Sequence, residues 1–214
     1  MRGLLLDFGG VVSVTMFERH DRSEQALGLP PRTLTWRGPF DPYGDALWRE
    51  MSEDRITERE YWARRASEVG RLLGEDWDTL TLFRRTHGAN PNLNVRPGAL
   101  STVREAKKAG LKVGVLSNEL ELFYGRDVLE NLDILKLMDC LIDATHTRIL
   151  KPDPRAYALG VEAMGLPSSE IVFVDDQARN VEGARKAGLA AVHFDVTRPD
   201  RSFAEAGRLL GLSP

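Results

Sequence analysis

Ile171-Val172-Phe173-Val174-Asp175-Asp176 is the stretch that decides how this chain folds. An unbroken apolar run of β-branched and aromatic residues, with no polar alternation, marks a strand covered on both faces. Residues 178–187 follow with helical periodicity and stop at Gly188, and 190–194 read as another strand. Toward the N-terminus, Asp153 is an N-cap and Pro154 the first helical residue. Tyr157, Val161 and Met164 give that helix a buried face, and Gly165 stops it. Residues 140–142 form a short strand, 119–132 a helix and 111–116 a strand. Pro97-Gly98 opens a helix with Leu100, Val103 and Ala106 on one face and Gly110 as its stop, and 4–8 supply a strand at the front. Such alternation predicts an α/β fold built on a doubly wound parallel, Rossmann-like sheet.

Residues 15–94 break the alternation. Thr57-Glu58-Arg59-Glu60 fits a capping box, and Trp62, Ala66, Val69 and Leu73 then recur at helical spacing. Asp45 heads a shorter helix through Leu47, Trp48 and Met51, while Trp77, Leu80 and Phe83 mark another. All four tryptophans, Trp36, Trp48, Trp62 and Trp77, fall in this stretch, where they are expected to form a small core. The expected domains are therefore an α/β core of 1–14 and 95–214 and an all-helical cap domain of 15–94. An exposed aromatic face on that cap would support a homodimer.

Composition removes several function classes. With 42% apolar residues the chain can bury a core, which argues against global disorder. The 29 Lys and Arg against 32 Asp and Glu give a net charge of −3, no footprint for nucleic acid. Apolar runs reach only about six residues, far short of the roughly 18 that span a bilayer, so no membrane partner is expected. Met1 to Leu6 looks briefly like a signal peptide, but Asp7 and Gly9-Gly10 end the apolar run too early. The lone Cys140 excludes an internal disulfide and fits a reducing cytoplasm; in its strand it reads as a small core residue. His20, His87, His146 and His193 form no ligand-spaced pair.

In open parallel sheets ligands bind beyond the C-terminal ends of the strands. There the sequence places Asp7-Phe8-Gly9-Gly10, Ser117-Asn118 and Asp175-Asp176, with Lys151-Pro152 just before a capped helix. Clustered carboxylates repel unless a cation joins them, and oxygen ligands without His or Cys favour a hard ion such as Mg²⁺. A carboxylate beside Mg²⁺ can attack phosphorus, with Ser117, backbone N–H groups near it and Lys151 binding the phosphoryl oxygens.

This set resembles the haloacid dehalogenase superfamily of hydrolases. Asp7-Phe8-Gly9-Gly10-Val11-Val12 is similar to the family's nucleophile loop, Val115-Leu116-Ser117-Asn118 to its phosphate-binding motif, and Lys151-Pro152 to its third motif. Val174-Asp175-Asp176, trailed by Asn180-Val181 and Gly183-Ala184, is similar to the acidic fourth. The resemblance implies Asp7 as nucleophile, Ser117, Asn118 and Lys151 as phosphate binders, and Lys151 also as a catalytic group. It implies Mg²⁺ held by Asp7, the Gly9 carbonyl and Asp176, with Asp175 a ligand or beside it, and a small phosphorylated substrate.

One departure stands out. Family phosphatases carry a second Asp, the general acid/base, where this chain has Gly9. A general acid contributes typically 10²–10⁴-fold, or about 3–5 kcal/mol of barrier. Three readings follow: a phosphatase whose leaving group departs unprotonated or whose cap supplies the acid; a metal-independent 2-haloacid dehalogenase; or a non-enzymatic member that binds a phosphorylated ligand or a protein. Family dehalogenases carry Ser and Asn where Asp175-Asp176 stand, which ranks the second reading below the first.

Overall fold

A computed structural model describes residues 1–88 and 90–212; Ala89, Ser213 and Pro214, which the expected domain bounds include, lie outside the described residues. Five parallel strands form one sheet: β1 (Gly3–Leu6), β2 (Lys112–Ser117), β3 (Cys140–Asp143), β4 (Ile171–Asp175) and β5 (Ala190–His193), in the order β3-β2-β1-β4-β5. The chain is thus of the α/β class expected, with the first strand in the centre. Leu6 is in register with Val115 on one side and Val174 on the other. Ser117 is level with Asp143, and Asp175 with His193.

The chain divides into two compact units. One comprises Met1–Val14, Asn92–Glu121 and Arg126–Pro214, and the other Thr15–Pro91 with Leu122–Gly125. The second is helical among its described residues, with α1 (His20–Leu27), α2 (Ala46–Ser52), α3 (Glu58–Leu72) and α4 (Thr79–His87). Three of its helix starts follow local chemistry. Asp45 caps α2 through the Trp48 N–H, Thr57 and Glu60 form a reciprocal capping box on α3, and Asp78 caps α4 through the Thr81 N–H. Asp45 also ties the unit together. Fully buried, it accepts hydrogen bonds from Gly38 N–H (3.2 Å), Tyr61 O–H (3.0 Å) and Arg65 Nη2 (2.5 Å). Around it Phe17 packs edge-on to Trp36 and Trp48, with centroids 5.6 and 5.2 Å away, and tilted against Trp62 at 5.7 Å. Trp36, Trp62 and Trp77 are buried and Trp48 is half-buried.

The sheet unit carries α5 (Pro97–Lys108), the start of α6 (Leu120–Tyr124), α7 (Arg126–Glu130), α8 (Ala144–Thr147), α9 (Pro154–Met164), α10 (Ala178–Lys186) and α11 (Pro199–Leu210). Leu5, Leu116, Tyr157, Met164, Phe173 and Ala184 are fully buried in one core cluster. Burying each large member contributes ~1.5–3 kcal/mol. Gly183 lets α10 approach α9: a Cβ there would lie 2.6 Å from the Tyr157 hydroxyl oxygen. In one place the sequence expectation differs. Residues 119–132 do not form one helix, because Gly125 adopts φ of 79° and the chain breaks there into α6 and α7. No helix among the described residues is long and apolar enough to cross a membrane.

Candidate active site

Asp7 leaves the end of β1 with its N–H bonded to the Val174 carbonyl (2.8 Å), extending the sheet ladder by one residue. The chain then turns through Phe8–Val12, where Gly9 (φ −67°, ψ 129°) and Gly10 (φ 76°, ψ −29°) depart from helical geometry. Gly10 requires a glycine because its backbone lies in the left-handed region. Gly9 does not: its backbone suits any residue, and a Cβ built there meets nothing within 4 Å.

Lys151 joins the strand ends. Its Nζ donates to Asp7 Oδ1 at 2.8 Å and to Asp175 Oδ2 at 2.6 Å, and the ammonium is buried above the Phe173 ring. Burial alone would lower the lysine's pKa, but the carboxylates of Asp175 and Asp7 outweigh it and raise the pKa above its ordinary value. Lys151 therefore stays protonated through the physiological range. Its backbone is held by Asn118, whose Oδ1 accepts from the Lys151 N–H (2.6 Å) and whose Nδ2 donates to the Lys151 carbonyl (3.1 Å). The side chain of Asn118, expected among the phosphate binders, is thus bonded at both ends to Lys151. Ser117 ends β2 and is buried.

Asp175 is wholly enclosed and makes a full set of bonds. Besides Lys151 it accepts from Gln177 N–H (2.8 Å) and from Asn180 Nδ2 (3.1 and 3.2 Å to its two oxygens). Asn180 is fixed in turn by Tyr157, whose hydroxyl donates to its carbonyl (2.7 Å). Asp176 is half-buried, and its carbonyl lies 3.1 Å from His193 Nε2. One carboxylate oxygen each from Asp7, Asp175 and Asp176 lies within 4.8 Å of the others. Three carboxylates against one ammonium leave an excess of negative charge, and the donors are all oxygen. That set fits a hard divalent cation such as Mg²⁺ and fits Zn²⁺ poorly, since among the described residues no thiol or imidazole joins it.

Two residues beyond the sequence reading shape this site. Asp143, buried at the end of β3, accepts from the N–H groups of Leu120 (3.1 Å), Glu121 (2.7 Å) and Thr145 (2.9 Å), fastening the turn after Ser117-Asn118. The strand-end rule that points to Asp7 and Asp175 would find it if applied to the third strand. Arg96 is the other: it is buried, with its Nε bonded to the Gly10 carbonyl at 2.9 Å, and no local pattern signals it. Of the histidines, His20 and His87 are buried in the helical unit, and His146 pairs with Glu121 at 3.1 Å.

The profile of the haloacid dehalogenase-like hydrolases matches residues 2–188. The chain belongs to that family. Within it, the chain is 40% identical over 99 residues to Phosphatase MT3486 of Mycobacterium tuberculosis, a match spanning 46% of each protein. It is therefore aligned to less than half the length of that relative. It is 26% identical over 172 residues to the validoxylamine A 7'-phosphate phosphatase of Streptomyces hygroscopicus subsp. limoneus, covering 79% of this chain and 78% of the other. In structure it is similar to the HAD-hydrolase YfnB of Bacillus subtilis (TM-score 0.72, 16% identity, 99% of both chains). The L-2-haloacid dehalogenase of Xanthobacter autotrophicus also shares the fold (TM-score 0.58, 23% identity, 91% of this chain and 77% of the other).

Proposed function

We propose that this hydrolase is a Mg²⁺-dependent phosphatase of a small phosphorylated metabolite, with Asp7 as nucleophile. The observation that carries the reading is the Lys151 ammonium shared between Asp7 and Asp175, with Asp176 beside them at the strand ends. The phosphatase names of the two relatives support it. Asp7, Asp176 and the Gly9 carbonyl would hold the cation, because Asp175 is already committed to Lys151, Gln177 and Asn180. When bound, Mg²⁺ offsets repulsion between the nucleophilic carboxylate and the phosphoryl oxygens.

The chain's own groups then divide the work. Lys151 binds phosphoryl oxygens and holds the Asp7 carboxylate in one orientation. Ser117, through its hydroxyl, and Asn118, through its backbone N–H, bind the transferring group. A carboxylate oxygen of Asp7 forms the bond to phosphorus as the ester P–O bond breaks, and the leaving oxygen takes its proton from water, since Gly9 has none to give. Water then attacks the aspartyl phosphate, releasing inorganic phosphate and restoring Asp7. Substrate choice falls to the helical domain, residues 15–94 by sequence, whose exposed Phe40 and Tyr43 are also the aromatics a homodimer contact would use. The single cysteine suits a cytoplasmic setting.

Gly9 favours a metal-independent 2-haloacid dehalogenase, because halide leaves without a proton. The enclosed Asp175 and adjacent Asp176 oppose it, since they would repel a carboxylate substrate. Both readings meet one experiment. A panel of phosphate esters and 2-chloroacids is assayed with Mg²⁺ and with EDTA, using wild type and Asp7→Asn. The expected result is phosphate release that EDTA abolishes and that Asp7→Asn lowers by at least about 10³-fold. Chloride release indifferent to EDTA would overturn it.

A further inference from the structure

We infer that Arg96 is a positioning residue that holds the Asp7 loop in register with the acidic end of β4, an inference resting on the assignment of Asp7 as nucleophile. Arg96 grips the loop twice. Its backbone N–H donates to the Val12 carbonyl (2.9 Å) and its Nε to the Gly10 carbonyl (2.9 Å). Gly10 is the left-handed residue of the turn, so the bond to its carbonyl fixes the peptide plane on which the irregular path of Phe8–Val12 depends. The neighbouring strap is short: Ser13 N–H bonds to the Phe8 carbonyl (2.9 Å), and Val14 N–H to the Asn94 carbonyl (2.8 Å).

The guanidinium also packs on Phe194, the residue after β5. Its carbon lies 5.5 Å from the Phe194 ring centroid, and the Phe194 N–H donates to the Asp175 carbonyl (2.9 Å). Phe203 braces Phe194 edge-on, with centroids 4.9 Å apart. One buried side chain thus touches the loop that begins at Asp7 and the aromatic bonded to Asp175. The planar Nε–H makes this directional, which an ammonium at the end of a lysine stem cannot copy. A misplacement of about 1 Å can cost on the order of 10²-fold in rate, so a group that sets this spacing acts on kcat without touching substrate.

Side-chain geometry supplies the test. Gln places an amide N–H at the position of the arginine Nε, Met places a methyl there, and Lys keeps the charge with a methylene there. Wild type, Arg96→Gln, Arg96→Met, Arg96→Lys and Asp7→Asn are compared on p-nitrophenyl phosphate with saturating Mg²⁺. Amide exchange of residues 7–14 is followed in parallel. Arg96→Met and Arg96→Lys are expected to lose about 10–100-fold in kcat with KM changed less than about threefold, and Arg96→Gln to recover most of it. Recovery by Lys and not by Gln would overturn the inference, as would a folded Arg96→Met within about threefold of wild type. If Arg96→Met does not fold, the Gln and Lys variants decide. Failure of the phosphatase reading is distinct: wild type then shows no turnover that depends on Asp7. In that event faster exchange at 7–14 in Arg96→Met, reversed in Arg96→Gln, upholds the inference, and unchanged exchange refutes it.

Discussion

Gly9 concentrates the chemical question in one residue. Its backbone angles suit any amino acid and the space around a Cβ is open, so Gly9→Asp can be introduced without straining the loop. In the phosphatase reading, Gly9→Asp supplies a proton to the departing oxygen. It should raise kcat/KM about 10–100-fold for alkyl phosphates, whose leaving groups are poor, and by less than about threefold for p-nitrophenyl phosphate. Equal effects on both esters would show that protonation is not the missing element. The acids at the strand ends are legible in the sequence because a parallel sheet directs its C-terminal residues to one edge. Which of the two adjacent acids is enclosed is not legible from the residues: the fold seats Asp175 between Lys151, Gln177 and Asn180 and leaves Asp176 half-buried. Arg96 has no legible signal, since its partner Gly10 lies 86 residues away in sequence.

At the scale of elements, side-chain caps make several helix starts readable, while α5 and α10 have no cap bond and are readable from their apolar period and a stop glycine. Asp45, Thr57 and Asp153 each accept the expected backbone N–H, so their helices begin where capping chemistry puts them, and Asp78, not singled out in the sequence, caps α4 in the same way. The α1 and α11 helices have no side-chain cap bond either, and neither is among the helices expected from sequence. Gly125 is hidden for a related reason: glycine inside an apolar periodic stretch is tolerated or breaking according to backbone angle, which periodicity does not encode. Two cap residues should differ sharply when removed. Thr57→Ala loses an exposed cap and should cost ~1 kcal/mol. Asp45→Ala also strands the Tyr61 hydroxyl and takes the buried partner from Arg65, leaving it the half-exposed Glu68, so it should cost about 3–5 kcal/mol. Urea denaturation of the two variants checks the ordering, and similar losses would refute the structural role given to Asp45.

For the molecule as a whole, the two units offer separate readouts of stability. All four tryptophans lie in the helical unit, so their fluorescence follows that unit's unfolding. The same unit holds His20 and His87, both buried. Burial, aided by nearby Arg37, depresses the His20 pKa to about 4; burial, aided by Arg19, depresses His87 to about 3. An unfolded histidine takes up its proton near pH 6.5, whereas these two refuse it until far lower. Between pH 6.5 and about 4 the unfolded chain therefore binds more protons than the folded one, and stability rises with pH across that window. Above pH 7 both states hold neutral imidazoles and the contribution is level. The tryptophan-detected urea midpoint should thus fall steadily as pH is lowered from 7 to 4.5. His20→Leu should flatten that slope by roughly half whatever it does to the midpoint at neutral pH, because His87 remains. The slope is the decisive quantity: a His20→Leu protein with the wild-type pH dependence would mean that His20 becomes protonated without opening the aromatic core around Trp36.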